Sequence, residues 1–208
     1  VSPTSEYQHH GAAAVASDGD ADSLGEVIHQ VKKAVAARHY RGAMELISAM
    51  SQTFGEVGFA QDALKLLAVV KTEIPREAVE RSDWAWLLNT EGLALRASGY
   101  PDEAEARFDT MREIGEEISD RSVVSTALQN LAVGAMMKGD LAQSAQLAKL
   151  SLREKMVIDD HRGCVQLINN LATLAQEGGD LEKAADLLSV NEPIVHQLAD
   201  PGLLTTYY

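Results

Sequence analysis

The sequence predicts an all-α protein, a solenoid of antiparallel helix pairs with about nine helices. Three observations carry this. Residues 128–152 are answered later in the chain. Asn130, Leu131 and Ala132 return as Asn170, Leu171 and Ala172, and Gly139, Asp140 and Leu141 return as Gly179, Asp180 and Leu181, each 40 residues on (170 − 130, 179 − 139). Self-similarity at one fixed period of this size marks stacked repeats. Second, the turn glycines Gly58, Gly99, Gly139 and Gly179 stand 41, 40 and 40 residues apart, and five residues after each comes a small residue, Ala63, Ala104, Ser144 or Ala184. Glycine lets the chain reverse tightly, and the small side chain lets two helices approach. Third, aromatic residues are 5% of the 208 and proline only 5 residues, while Ala and Leu abound. Small and unbranched side chains favour closely packed helices.

The elements follow in order. Residues 1–23 are rich in Ser, Ala, Gly and Asp, lack an apolar stripe, and are expected to be a disordered segment. Asp18, Asp20 and Asp22 open like a calcium loop, but Ser23 and His29 stand where the loop needs Gly and a bidentate Glu. Asp22 or Ser23 is expected to cap the next helix instead. His9 and His10 are adjacent, which is poor geometry for one metal. Residues 24–38 place Leu24, Val27, Ile28, Val31 and Val35 on one helical face. Helices are expected over 43–54 and 59–73, the second stopped by Pro75. Ser82 is expected to cap a helix to 98. Pro101 suits the first turn of the next, which carries Ala104, Phe108, Met111 and Ile114. Helices over 122–138, 141–158, 163–177 and 181–198 complete the set. The repeat domain then spans 24–202, with a leading unpaired helix at 24–38 and pairs at 43–74, 82–118, 122–158 and 162–198. Residues 203–208 open a further helix, as in a longer array.

Charge narrows the partners. The chain has 18 basic and 31 acidic residues, a formal net charge of −13. Such a surface repels phosphate backbones and anionic membranes, so neither is an expected partner. No apolar run reaches the roughly 18 residues a membrane span needs. Residues 12–16 lack the basic flank of a signal peptide. The single cysteine, Cys164, forms no intrachain disulfide, which fits a cytoplasmic location. It stands one helical turn from Ile168 and is expected to be buried and inert. Asp159, Asp160 and His161 are adjacent in a turn and do not converge on a metal. There is no phosphate-binding glycine motif and no nucleophile with a partnering histidine. No catalysis, cofactor or metal is therefore expected.

The phrase N-L-A…G-D-L-x-x-A, with Asn170, Leu171, Ala172, Gly179, Asp180, Leu181 and Ala184, resembles the tetratricopeptide repeat (TPR) family. Its period exceeds the usual repeat of about 34 residues. It is similar to the longer-period class found in kinesin light chain, spindle-orientation adaptors and sensor regions of bacterial regulators. The resemblance implies a right-handed superhelix whose concave face is lined by the first helix of each pair. The rows there would be Trp86, Thr90 and Ala97; Thr126, Asn130 and Met137; and Gln166, Asn170 and Glu177. The resemblance gives Asn130 and Asn170 the role of clamping the backbone of an extended peptide, since an amide both donates and accepts. The alternative is that these Asn bond across the stack to the neighbouring repeat. Thr90 interrupts the Asn ladder, and Asn89 and Asn169 form a second polar row. Trp84, Trp86, Met136 and Met137 fit either peptide contact or core. The resemblance thus implies a protein- or peptide-binding module, the sensor or scaffold part of a larger bacterial regulator. Self-association into an oligomeric scaffold is the alternative.

Overall fold

The computed structural model describes residues 20–55 and 58–198. His9, His10, Asp18 and the segment 203–208 lie outside them. Among the described residues there are ten α-helices: α1 (Asp20–Ala36), α2 (Tyr40–Ala49), α3 (Ser51–Phe54), α4 (Ala60–Glu73), α5 (Arg81–Ala97), α6 (Pro101–Ile118), α7 (Arg121–Met137), α8 (Leu141–Val157), α9 (His161–Glu177) and α10 (Leu181–Leu198). The helix expected over 43–54 is divided, because Met50 leaves helical geometry at φ −96° and ψ 6°. Two other expectations need correction. α1 already begins at Asp20, so Asp22 and Ser23 lie inside its first turn rather than capping it. The cap position of α5 is Glu80, without a side-chain cap bond, so Ser82 is not the cap.

A shorter period than the sequence suggests sets the helix ends. Left-handed residues recur every 20 positions, at Gly99, Ser119, Gly139, Asp159 and Gly179. After each, the next residue's N–H donates to a carbonyl five residues back: Tyr100 to Leu95, Asp120 to Gly115, Asp140 to Ala135, Asp160 to Lys155 and Asp180 to Ala175, at 2.8–3.0 Å. This satisfies carbonyls that a helix end leaves unpaired. From Asp120 onward, that same next residue is an aspartate whose carboxylate accepts N–H groups from the following helix. The donors are Ser122 and Val123 to Asp120, Gln143 to Asp140, Gly163 to Asp160 and Lys183 to Asp180. Each such cap stabilises by about 1 kcal/mol. Between α4 and α5, Pro75 and the short 3-10 turn Arg76–Ala78 replace this device.

The helices pack as antiparallel pairs α5–α6, α7–α8 and α9–α10, each pair stacked on the next. The small residues do what their spacing implies: Ala63, Ala104, Ser144 and Ala184 are all buried, as are Ala132 and Ala172. Ser144 Oγ donates to the Ala132 carbonyl at 2.8 Å and Ser151 Oγ to the Ser125 carbonyl at 2.7 Å, tying α8 to α7. The first unit is looser. α2 makes its principal contacts with α1 and α5, and α3 also lies on α5. One core holds this end together, built on Val31, Ile47, Phe54, Leu67 and Leu87.

Gly92 shows why the first helix needs a small residue. A Cβ there would sit 2.5 Å from Cε1 of Phe108. Gly92→Ala is expected to destabilise by about 1–3 kcal/mol, because the buried ring must move. At Gly134, also helical, nothing lies within 4 Å of an added Cβ. Gly134→Ala is expected to stabilise by up to about 1 kcal/mol through helix propensity. Urea unfolding of the two variants measures the contrast.

Candidate binding face on the first helices

The residues expected along the concave face lie on α5, α7 and α9, at matched positions 40 apart. Their exposure rises along the stack. On α9, Gln166, Asn170 and Glu177 are all exposed, together with Thr173 between them. On α7, Thr126 and Asn130 are half-buried and Met137 is 62% exposed. On α5, Thr90 is fully buried at 0%, and its hydroxyl donates to the Trp86 carbonyl at 3.2 Å. Thr90 is therefore not a face residue. The reason is tertiary: α2 and α3 pack on α5, and a Cβ on Gly55 would stand 3.2 Å from Leu93 Cβ, in the same row. Trp86 is half-buried and packs against the cluster of Ala85, Leu88, Met111 and Val123, so its ring is mainly core. Trp84 is half-buried too, with the Arg76 guanidinium 5.3 Å from its ring centroid. Met136 packs inward and only Met137 faces out.

The two Asn differ. Asn130 Nδ2 donates to Asn89 Oδ1 at 2.8 Å, across from α7 to α5, and Asn89 is only 5% exposed. Here the cross-stack bond is real, and half of Asn130 is engaged in holding one repeat to the last. Asn170 is exposed. Asn130→Ala should then cost about 1–3 kcal/mol, because it strips a partner from a buried amide oxygen. Asn170→Ala should stay within about 0.5 kcal/mol. Chemical denaturation of the two single variants measures both.

Where α5, α6 and α7 meet, Asn130 and Met137 share a cleft of about 20 Å³ with Arg96 and Phe108. That is room for about one water molecule. The Arg96 guanidinium lies 5.6 Å from the Phe108 ring centroid, and its Nη1 is buried without a hydrogen-bond partner among the described residues. Burial lowers its pKa from the usual arginine value. The repeat pattern does not point to Arg96, since its counterparts 40 and 80 residues on are Met136 and Gln176. The signal was chemical: an arginine in the last turn of α5, directly after the apolar run Leu93, Ala94 and Leu95.

Asp159, Asp160 and His161 stand at the turn between α8 and α9. Among the described residues no group of three metal-ligating side chains converges. Asp160 instead caps α9 and accepts from Lys155 Nζ at 2.8 Å. Cys164 is buried at 7% exposure. Burial, with the Asp160 charge adding to it, pushes the thiol pKa up and keeps the weaker, protonated nucleophile. Iodoacetamide near neutral pH should therefore leave the folded chain unlabelled and add one group after denaturation, as mass spectrometry would read.

No family model matches the sequence, and no curated protein matches it in sequence. Solved structures do match in fold. BtubC (BKLC) from P. vanneervenii superposes with a TM-score of 0.69 at 16% identity, covering 85% of this chain and 72% of that one. A putative kinesin light chain from Podosopora anserina, with nearly identical TPR-like repeats, superposes with a TM-score of 0.55 at 15% identity, covering 85% of this chain and 96% of that one. A point variant of that same protein gives a TM-score of 0.57 at 15% identity, with the same coverage of both chains. The chain is thus a TPR-like α-solenoid of the class to which these repeat proteins belong by fold. Among the described residues no helix is long and apolar enough to cross a membrane.

Proposed function

We propose that the chain is a protein-interaction module that holds an extended protein or peptide segment along the first-helix row of α7 and α9. The observation that carries this is the unbroken exposed row Gln166, Asn170, Thr173 and Glu177 on α9, continued by Met137 and the half-buried Asn130 and Thr126 on α7. The opposite face of α9 is buried core. A surface row of amides, hydroxyls and one carboxylate matches the unpaired N–H and C=O groups of an extended backbone. Thr90 is omitted because it is buried, and Trp86 because its half-buried ring packs against the core. The TPR-like fold supports a partner made of protein. The repeat class also supports a setting in the sensor or scaffold part of a larger bacterial regulator, acting in the cytoplasm. There, partner occupancy would bias a neighbouring domain between two states.

A random-peptide display library selects the ligands for the test. Binding of a selected peptide, followed by fluorescence anisotropy, should weaken about tenfold or more in Asn170→Ala, equivalent to about 1.4 kcal/mol. Unchanged affinity in Asn170→Ala and Gln166→Ala would remove the row from the binding surface.

End-to-end self-association is a second reading, favoured by Leu181. Its counterpart one repeat earlier, Leu141, packs against the core between α7, α8 and α9, whereas Leu181 is 67% exposed. Light scattering across a concentration series decides it: a constant monomer mass argues against this reading.

A further inference from the structure

Three side chains bridge α4, α5 and α6 on the side of the stack away from the Asn row. Lys71 Nζ donates to both Glu91 carboxylate oxygens, at 3.0 and 2.9 Å. Arg107 Nε stands 3.1 Å from Glu91 Oε2, an ion pair without hydrogen-bond alignment. These long side chains fill the furrow between the two second helices. One repeat later the same positions carry different chemistry. Glu91 becomes Leu131 and Arg107 becomes Leu147, each 40 on, while Lys71 becomes Arg112, 41 on. With no carboxylate at the α7 position, Arg112 pairs along its own helix, with Asp109 at 3.5 Å and Glu116 at 2.7 Å. The bridge is gone, and a groove of about 410 Å³ opens between α6 and α8 over α7.

The groove has a stated chemistry. Its floor is the α7 stripe Val124, Leu128, Leu131 and Ala135, walled by Leu147 and by Leu150, itself 44% exposed. These α7 positions average about 150° round the helix from Thr126 and Asn130, so the groove opens on a different side from the Asn row and meets it only at Leu131 and Glu105. Its charged rim carries Glu105, Asp109, Glu116 and Glu154 against Arg112 and Lys138, with Arg121 pairing Glu154 at 2.6 Å from beside it and Asp102 sharing Lys138 with Glu105, so carboxylates still outnumber cations. Every wall is helix, whose backbone groups are already paired within it. An extended peptide would enter with its own N–H and C=O groups unmatched, whereas a helix brings them satisfied. An acidic rim on a chain of net charge −13 also disfavours a second copy of this chain.

We propose that the groove between α6 and α8 is a second docking surface, and that it takes a short basic amphipathic helix. Leucine-sized side chains from one face of that helix fill the floor, and its flanking Lys or Arg residues meet the acidic rim.

The probe is a labelled 15-residue designed helix with Leu at helical spacing on one face and Lys on the other, titrated by anisotropy at low salt. A twin with every Lys replaced by Glu is the control. The Lys peptide should bind saturably and weaken with salt, and the Glu twin should bind at least about tenfold more weakly. Leu150→Ser, at an exposed position, should weaken the Lys peptide about fivefold or more, and Asn170→Ala should leave it unchanged. The double variant Leu131→Glu/Leu147→Arg, which grafts the bridge of the preceding furrow, should abolish binding while circular dichroism shows an intact helical fold. If that graft misfolds, Leu150→Ser still decides. Binding insensitive to Leu150→Ser, binding lost in Asn170→Ala, equal binding of the Glu twin, or no saturable binding up to about 1 mM, a weak-binding limit of about −4 kcal/mol, each overturns the proposal.

Discussion

The stack depends on a two-residue device at each helix boundary. A left-handed residue ends one helix, and the aspartate after it starts the next. Holding Ser119 and Asp159 at φ 58° and 56° costs energy that glycine would not spend. The paired carbonyls and the capped first-turn N–H groups offset it. Because the device recurs every 20 residues, α7, α8 and α9 are each 17 residues long. Equal lengths keep corresponding side chains at one height and one angle. A single inserted residue would turn everything beyond it by about 100° and break the stack.

On this regular frame, small departures decide where surface is available. α5 and α7 share length and register, yet α5 is sealed. α2 and α3 cover its Thr90 side, and Lys71 and Arg107 close over Glu91 on the other. In α7 the corresponding Leu131 cannot anchor a bridge, and Asn130 keeps part of its surface after bonding to Asn89. Both candidate surfaces therefore begin at α7. The first unit contributes mainly core contacts, built on Val31, Ile47, Phe54, Leu67 and Leu87.

Much of this was legible in the sequence, for reasons that can be named. The 40-residue echo of N-L-A and G-D-L follows from the steric demand of identical turns, so period, pair boundaries and small-residue sites could be read directly. The 20-residue rhythm was hidden because its left-handed positions alternate between Gly and Ser or Asp, and only glycine advertises the conformation. The break at Met50 and the early start of α1 were hidden as well, since neither carries a capping side chain or a proline. The cross-stack bond of Asn130 was readable only as one of two alternatives.

What the sequence determined by itself was local and periodic: helix lengths, turns, the small residues at the crossings, and so the TPR-like solenoid. Those properties depend on neighbours within a few positions or on strict repetition, both of which a single chain displays. What only the tertiary structure decided was which members of a repeated row stay accessible. Thr90, Asn130 and Asn170 occupy one register position, but one is sealed, one is shared and one is open. The difference comes from what the neighbouring repeats lay over each, and a linear pattern carries no record of that.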